Sequence, residues 1–432
     1  MQYLQYVVVA LLGALAAILS NTGVAVFNDG FRPIVPEYLD GRMDKKALAA
    51  TSFAISFGLV IGFGIPVSIA ASIILIHSIL LGTDIIGAFC PSGKKGTIIS
   101  GVVGAIYGIG IVYGLQFIVD LFAMLPVNFL EPLKQVGTPI TVAFAVFPAL
   151  VVAYQFGTKK GLLTGIVALI IRQITEIYGK FTLSSGATIT LDKEGMALLA
   201  GMIIMIIFAV QEKPDPNAPK IDLVSIFQDR VKRIKKNLPI LALMGGLISA
   251  ATSLSLVAGD PISLNLLAEG KNTEAAMTAF ARGIGFIPLV ATTAISTGVY
   301  APAGMTFVFV VGFLIGNPIL AFVAGAAVMA IEIFFLDGLA KLMDKFPGVR
   351  KCGDNIRTAM SKVLEVALLI GGMMAAQAMA PGLGLFVVVG LYVLNKTSKK
   401  PIVDMAVGPV GAIGVGILIN VLYLVGLYVI PA

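Results

Sequence analysis

Apolar stretches of about 20 residues follow one another along almost the whole chain, and this pattern limits the possible folds more than any other feature. A helix needs roughly 20 apolar residues to cross the hydrocarbon core of a bilayer. Such segments lie on both sides of a polar link at 211–237. They lie approximately at 3–27, 47–66, 67–89, 97–124, 137–156, 160–178, 194–211, 238–258, 275–291, 299–316, 318–340, 359–380, 382–395 and 402–430. We therefore predict an all-α polytopic membrane protein with about fourteen (twelve to fourteen) transmembrane segments, some of them broken or re-entrant.

The composition excludes a soluble protein of this length. Hydrophobic residues make up 58% of the chain and charged residues only 12%, whereas soluble domains carry about 25% charged residues. The net charge of +7 could indicate nucleic-acid binding, but the sequence has no basic stripe with interleaved aromatic residues. Cys90, Cys352 and the single His77 do not form a metal-binding pattern. We therefore predict no metal site and no nucleic-acid partner.

Lysine and arginine residues concentrate in alternate loops. The basic loops are 28–46, 90–96, 159–160, 212–236, 341–362 and 396–400. Cytoplasmic loops of membrane proteins are enriched in lysine and arginine, so all these loops are cytoplasmic if the N-terminus lies outside. The apolar N-terminus lacks the basic region of a cleaved signal peptide and is interpreted as the first span. Both termini are then extracytoplasmic.

Seven segments in each half would thread the two halves through the membrane in opposite directions, because seven is an odd number. Weak similarities recur in the same order in both halves, and ALLGALAA at 10–17, for example, matches ALMGGLIS at 242–249. Inverted repeats of this kind are typical of secondary transporters. The predicted organisation is a first membrane repeat at 1–211, a cytoplasmic linker at 212–236 and a second membrane repeat at 237–432.

The segment FARGIGFIPLVATTAISTGVYAPAG, residues 280–304, places a charge, prolines, glycines and hydroxyls at membrane depth. A broken helix is tolerated in a membrane only inside the protein or beside a water-filled cavity, because every backbone polar group needs a partner. Single hydroxyls could instead bond to their own helix, and the arginine could snorkel to the interface. The whole cluster favours a ligand site. Its candidate substrate-binding residues are Arg282, Pro288, Thr292, Thr293, Ser296 and Thr297.

The corresponding interruption in the first half is GLVIGFGIPVSIAAS, residues 58–72, which contributes Pro66, Ser68 and Ser72. Paired interruptions at matching positions of two halves point to a transport site. We predict that the two interruptions meet near the membrane midplane and form one solute-binding pocket.

A second group of polar residues is assigned to gating or ion coupling. The candidates are Asn28, Asp29, Arg32, Asp354, Asn355 and Glu365. The first three lie in NDGFRP, which could instead form a membrane-edge turn with a local ion pair, and Glu365 could instead pair with Lys362 along a helix. Asp84 and Glu332 are further acidic residues within predicted spans, where charges are functional candidates.

Three stretches carry a resemblance to a known family. They are AVFNDGFRPIVPE, LVATTAISTGVYAPAGMTFVFVVGF and KCGDNIRTAMSKVLEVALLIGG, and they resemble the YhfT-like family of bacterial inner-membrane proteins. The resemblance runs nearly from end to end and implies a plasma-membrane transporter without an established substrate. It implies no catalytic residues. A fainter resemblance, to membrane components of sugar phosphotransferase systems, rests on the Gly-rich second and third spans.

These observations predict a secondary transporter, not an enzyme, that moves a small polar organic solute across the bacterial inner membrane by alternating access. An anion is the favoured solute class. No cofactor is expected, although transport could be coupled to H⁺ or Na⁺. The expected partners are the solute, the lipid bilayer and, by analogy, a second copy in a homodimer. The alternatives are a phosphotransferase-type sugar permease, a channel, or an intramembrane enzyme, for which the sequence shows no aspartate-rich, HExxH or GxSxG motif.

Overall fold

A computed structural model describes residues 2–182, 188–213, 223–399, 401 and 404–429. The chain is about 81% helical. The helices before the polar link are α1 Gln2–Asn21, α2 Val35–Leu39, α3 Lys45–Leu59, α4 Ile65–Ala71, α5 Ile76–Phe89, α6 Gly93–Met124, α7 Leu130–Leu133, α8 Gly137–Phe156, α9 Thr158–Tyr178 and α10 Lys193–Gln211. The later helices are α11 Leu223–Lys236, α12 Leu238–Ser253, α13 Pro261–Ala268, α14 Asn272–Thr297, α15 Phe307–Leu314, α16 Pro318–Lys345, α17 Pro347–Met379, α18 Leu383–Thr397 and α19 Asp404–Leu424.

The remaining regular elements are short. The strands are β1 Ile74–Leu75, β2 Lys180–Thr182, β3 Thr188–Thr190 and β4 Val257–Ala258. β2 and β3 form an antiparallel pair, whereas β1 pairs in parallel with β4 from the other half of the chain. A π-helical turn at Val60–Gly64 joins α3 to α4, and 3₁₀ turns occupy Arg32–Ile34 and Lys134–Val136.

The helices have the length and surface of a membrane protein. Among the described residues, seven helices are long and apolar enough to cross a bilayer, and the bent helix α14 adds an eighth candidate. Shorter apolar helices occur at Ile76–Phe89, Ala145–Phe156, Leu238–Ser253 and Leu383–Thr397. α6 and α9 expose large apolar side chains such as Ile106, Phe117 and Leu169, which are 64%, 64% and 62% exposed. Such apolar surface is stable against lipid rather than water. The predicted all-α membrane protein is thus confirmed, while the number of fourteen spans stays a prediction.

The largest differences from the predicted segments occur at the two interruptions. The predicted segment 67–89 contains the end of α4, β1 and all of α5, and the segment 299–316 contains an irregular turn followed by the eight-residue α15. Ser72 directly follows α4 and Gly298 directly follows α14, and both have positive φ, a conformation that stops a right-handed helix.

The predicted linker contains an amphipathic helix, α11. Val231 and Ile234 on one face of α11 are buried, each with 1% exposure. Arg233 donates a hydrogen bond of 2.9 Å to the carbonyl of Gly23, just beyond α1. The link is therefore folded against the membrane helices along α11.

The helices pack into two bundles, each built from both halves of the chain. In the first bundle α1 packs on α6 and α5, α12 packs on α16 and α15, and α3 and α14 complete the group. In the second bundle α8 packs on α17, α9 and α10, and α17 packs on α18 and α19. The bundles meet where α14 packs on α10 and α17, and where the π-helical turn packs on α19.

Glycines allow the closest helix contacts of the first bundle. A Cβ built on Gly13 of α1 would collide with the backbone of Gly104 on α6, and a Cβ built on Gly245 of α12 would lie 2.8 Å from the carbonyl oxygen of Gly325 on α16. Small residues at such contacts let helix backbones approach closely, which is the main source of packing energy between helices in lipid.

Candidate functional site

Extended segments from the two halves cross inside the first bundle. Ala25, after α1, pairs in parallel with Tyr300, after α14, while β1 pairs with β4. Each crossing segment follows a helix that ends near a residue with positive φ; these residues are Gly23, Ser72, Ser255 and Gly298. We call residues 24–28, 73–77, 256–260 and 299–306 the crossing. α5 and α15 begin at the crossing, and the free N–H groups of their first turns carry partial positive charge.

Arg282 lies in the interior of the first bundle, on α14. Its side chain is 4% exposed and forms an ion pair of 3.4 Å with Asp260. It also donates a hydrogen bond to the carbonyl of Gly259, and its Cζ lies 5.5 and 5.4 Å from the ring centroids of Phe286 and Phe309. The side chain therefore does not snorkel, and Asp260 balances its charge inside the protein.

Two hydroxyl candidates on α14, Thr293 and Thr297, bond to their own helix. Thr293 Oγ1 donates to the carbonyl of Leu289 at 2.7 Å, and Thr297 Oγ1 donates to the carbonyl of Thr293 at 2.6 Å. Such bonds weaken the helical ladder locally. α14 also bends by 51° between Asn272–Ile284 and Leu289–Ile295, before both of these hydroxyls. The side chains of three further candidates lie outside the described part of the structure: Pro288, Thr292 and Ser296.

In the first half, the predicted interruption at 58–72 is a π-helical turn followed by the short helix α4. Pro66 is buried in the first turn of α4, and Ser72 is exposed at its end with φ of 56°. Proline lacks the N–H group that would continue the preceding helical ladder. The strand that follows this interruption pairs with β4, and the segment after Gly298 pairs with Ala25. Each interruption is thus paired with the end of a helix from the other half, α12 for the first interruption and α1 for the second.

Ser68 connects α4 to the start of α5. Its hydroxyl donates to the carbonyl of Gly64 at 2.6 Å and accepts a hydrogen bond of 2.8 Å from the N–H of Leu75. Ser78 Oγ lies 3.0 Å away. Through these hydrogen bonds, the Ser68 hydroxyl holds α4 against β1 and the start of α5.

The NDGFRP residues form a turn in which Asn28, Phe31 and Arg32 are buried. Arg32 has 1% side-chain exposure, forms an ion pair of 2.7 Å with Asp29 and donates to the carbonyl of Val26 at 3.0 Å. Asn28 donates a hydrogen bond of 2.9 Å to Ser56 Oγ. The local ion pair considered from the sequence is present, and Arg32 connects it to the crossing through the carbonyl of Val26.

The three remaining candidates lie on α17, in the second bundle. Asn355 donates a hydrogen bond of 3.1 Å to Gln155 on α8. Glu365 forms an ion pair of 3.2 Å with the exposed Lys362, which is the helical pair considered from the sequence. The side chain of Asp354 lies outside the described part of the structure.

Asp84 on α5 holds the end of α1 through backbone amides. Its carboxylate oxygens accept hydrogen bonds from the N–H of Phe27 at 3.0 and 3.1 Å and from the N–H of Asn28 at 2.7 Å. The side chain is 2% exposed. The sequence identified Asp84 as an acidic residue within a predicted span. Its partners could not be predicted, because they are backbone amides, which nearly every residue has.

His77, in the first turn of α5, was considered only as a metal ligand from the sequence. Its ring lies edge-on between Phe27 and Phe63, at centroid distances of 5.0 and 5.1 Å. Its Nδ1 atom is buried and has no hydrogen-bond partner among the described residues. His77 therefore offers a polar group at the start of α5.

A cavity of about 320 Å³ lies between the two bundles, against α10, α14 and α15. The hydroxyl of Thr278 in its wall is buried and has no partner among the described residues. Asp192, also in the wall, begins α10 and accepts a hydrogen bond of 2.6 Å from the N–H of Gly195. Burial raises the pKa of Asp192 to about 6.

Comparison with known proteins identifies the family. A family model described as "YhfT: Protein of unknown function" matches residues 5–428. The chain belongs to the YhfT family. It is 35% identical over 442 residues to the "Uncharacterized protein YhfT" of Escherichia coli (strain K12), and the alignment covers 99% of each chain. No solved structure matches the chain.

The resemblance read from the sequence is thereby confirmed, and the YhfT match covers both bundles and the whole crossing. Within this YhfT-family chain, the structure brings together some of the predicted residues and separates others. Arg282, Ser68 and the turn at 28–32 contact residues of the crossing, whereas Asn355 and Glu365 lie in the second bundle.

Proposed function

We propose that this YhfT-family protein is a secondary transporter, rather than an enzyme, that moves a small polar organic solute across the bacterial inner membrane by alternating access. One observation carries the proposal: the irregular helices of the first bundle make its most extensive contacts with the second. The π-helical turn packs on α19, and the bent α14 packs on α10 and α17. Broken helices at membrane depth are tolerated where they face protein or a water-filled cavity, and transporters place their solute sites at such breaks.

The proposal includes inverted repeats, and the pairing at the crossing supports them. A shift of 232 residues carries Ala25 to Val257, and a shift of 226 residues carries Ile74 to Tyr300. Under these shifts Val257 is the equivalent of Ala25, and Ile74 is the equivalent of Tyr300. The pair Ala25–Tyr300 therefore has an equivalent pair, Val257–Ile74. Both pairs exist and both are parallel. This reciprocal arrangement is expected of two repeats related by a pseudo-twofold axis in the membrane plane.

The same shifts relate polar contacts in the two halves. They carry Asn28 to Asp260 and Ser56 to Arg282. In the first half Asn28 donates a hydrogen bond of 2.9 Å to Ser56, and in the second half Asp260 forms an ion pair of 3.4 Å with Arg282. Equivalent positions therefore make equivalent contacts, although the residue types differ.

The charge balance of the crossing bears on the solute. Arg32 pairs with Asp29, and Arg282 pairs with Asp260. An arginine clamp for an anion needs a guanidinium group that the protein itself leaves free. We therefore propose a small polar solute without a fixed sign of charge, and the anionic class remains a prediction from the sequence.

The proposed setting follows the distribution of basic residues. α11 and the starts of α6 and α9 carry lysine and arginine clusters, and cytoplasmic loops are enriched in these residues. We place these three regions on the cytoplasmic side. The proposed transporter requires no cofactor. If it forms a homodimer, the two copies associate side by side in the bilayer.

A disulfide across the bundle contact tests the proposed movement. A Cβ built on Gly195 of α10 lies 3.3 Å from Cβ of Thr278 on α14, near the Cβ separation of about 3.5–4.5 Å in disulfides. In a variant that lacks Cys90 and Cys352, we expect oxidation of the pair Gly195→Cys and Thr278→Cys to lock the bundles and stop transport. Reduction should restore it.

The control disulfide joins two helices within the second bundle. A Cβ built on Gly411 of α19 lies 3.2 Å from a methyl group of Val388 on α18, so Val388→Cys with Gly411→Cys forms the matched pair. Proteoliposomes are assayed for counterflow of small carboxylates, phosphate esters and neutral amino compounds. We expect saturable counterflow that the α10–α14 disulfide abolishes and the α18–α19 disulfide does not. Equal counterflow with that disulfide open and closed would contradict alternating access between these bundles.

A further inference from the structure

The turn between α14 and α15 leaves several oxygen atoms without a hydrogen-bond donor. Residues 301–306 are irregular and buried at every position. Gly304 N–H donates to the carbonyl of Ala301 at 3.0 Å, and Thr306 N–H donates to the carbonyl of Ala303 at 3.1 Å. No described residue donates a hydrogen bond to the carbonyls of Pro302, Gly304 or Met305. Unpaired carbonyl oxygens in a buried turn require another polar or cationic partner.

A buried carboxylate lies against this turn. Glu332 of α16 is 6% exposed. Its Oε2 accepts hydrogen bonds from the N–H of Met305 at 2.7 Å and from the hydroxyl of Tyr300 at 3.1 Å. The N–H of Phe307 also lies near this carboxylate. Glu332 Oε1 is buried and accepts no hydrogen bond of good geometry from the described residues, which also provide no ion pair for this carboxylate. A buried carboxylate without a counter-charge is costly.

Thr306 provides a second unpartnered side-chain oxygen in the same turn. It is 8% exposed, has φ of 78°, and precedes α15 without capping it through its side chain. Its Oγ1 is buried and has no partner among the described residues. Glu332 binds the N–H of Met305, the residue next to Thr306, so both unpartnered oxygens belong to one corner of the first bundle.

We propose that Glu332, Thr306 and the free carbonyls of the 301–306 turn bind Na⁺. Hard cations bind carboxylate, hydroxyl and carbonyl oxygens, and unwound backbone at a broken helix supplies Na⁺ ligands in transporters. Na⁺ would also provide the counter-charge that Glu332 lacks. A single proton would satisfy one oxygen atom, whereas a cation contacts several at once.

Gly304 lets the backbone approach the carboxylate closely enough for such a site. Its φ is +56°, and a Cβ built on it would collide with Glu332 Oε2. The Na⁺ site itself does not depend on transport, but its use as a coupling site rests on the proposed function.

Na⁺ binding is tested on the purified full-length protein without any organic solute. Thermal unfolding in detergent is followed while NaCl replaces choline chloride or KCl at constant ionic strength, and ²²Na⁺ binding is measured directly. We expect Na⁺, but not K⁺, to raise the Tm in a saturable manner, since a ligand that binds the folded state stabilises it. Glu332→Gln should abolish the rise, and Thr306→Val should weaken Na⁺ binding about tenfold or more.

Glu176→Gln is the matched control, because Glu176 on α9 forms exposed ion pairs with Arg172 and Lys193. This variant should respond to Na⁺ like the wild type. Circular dichroism and Tm in choline chloride check that the variants fold. A wild-type protein without a Na⁺-specific shift, or a Glu332→Gln variant that keeps it, would overturn the proposal. A Tm that depends on pH through Glu332 but does not depend on Na⁺ would also overturn the Na⁺ site. That result would mean that Glu332 binds a proton instead.

Na⁺-driven counterflow is measured separately. Na⁺ binding without any transport would leave the site in place and contradict the transporter, whereas Na⁺-independent transport would contradict the coupling role alone.

Discussion

At the scale of single residues, the sequence identified many polar groups of the interior but not their partners. Thr293 and Thr297 were visible as hydroxyls in an apolar segment, and the structure shows both bonding to their own helix. Arg282 was visible as a charge, but its partner Asp260 is 22 residues earlier in the chain. A side chain in the interior takes whichever partner the packing brings near, and sequence spacing predicts only contacts along one helix.

Gly304 allows a sharp residue-scale prediction. Gly304→Ala should destabilise the protein, because an L-residue in the left-handed region costs about 1–2 kcal/mol and the new Cβ would displace Glu332. Gly414→Ala is the control. Gly414 lies in α19 with no heavy atom within 4 Å of a built Cβ, so alanine there should be neutral or stabilising by up to about 1 kcal/mol. Thermal unfolding in detergent compares the two variants, and an unchanged Tm for Gly304→Ala would contradict the described turn.

At the scale of elements, several helices were predicted closely from hydropathy. The predicted segment 137–156 coincides with α8, and 194–211 with all but the first residue of α10. The bilayer explains this success, because its thickness sets the length of an apolar helix. α11 was not predicted as a helix, because its many charged residues made the segment polar on average. Its buried apolar residues, such as Val231 and Ile234, were therefore overlooked.

α11 provides the element-scale prediction. Arg233→Ala should loosen α11, because it removes the hydrogen bond to the Gly23 carbonyl. Hydrogen bonds from charged groups contribute roughly 1.5–3 kcal/mol when well formed. We expect about 1 kcal/mol for the half-buried Arg233, which corresponds to roughly fivefold faster amide exchange across α11.

Lys232→Ala is the matched control on the same helix. Lys232 pairs with Asp229 at the surface, and exposed pairs contribute about 0.2–1 kcal/mol or nothing measurable. Hydrogen exchange followed by mass spectrometry should show little change in α11 for this variant. Equal exchange in both variants would mean that Arg233 does not hold the helix in place.

At the scale of the whole molecule, the orientation in the membrane can be tested by cysteine labelling. In a variant without Cys90 and Cys352, a membrane-impermeant maleimide should label Val429→Cys in intact spheroplasts, because the C-terminus is proposed to be extracytoplasmic. Val429 is 85% exposed. Lys95→Cys, at the exposed start of α6 that is proposed to be cytoplasmic, should be labelled only after permeabilisation. The opposite pattern would invert the proposed topology.

The repeat relation was only partly visible in the sequence. The predicted match of 10–17 with 242–249 aligns Gly13 with Gly245, and this is the same shift of 232 residues that relates Ala25 to Val257 at the crossing. Both glycines also make close contacts with their neighbouring helices. Side chains at equivalent positions have diverged elsewhere, while the backbone pairing retains the relation.

The amino-acid sequence was sufficient for the membrane class, for most helix positions and for the two interrupted regions. These properties depend on local composition, because a bilayer selects apolar segments of a set length and rejects unpaired backbone. The tertiary structure was needed to reveal the two bundles, the exchange of partners at the crossing and the carboxylate of Glu332 beside the 301–306 turn. Those features join residues far apart in the chain through backbone hydrogen bonds, and every residue except proline presents the same backbone groups.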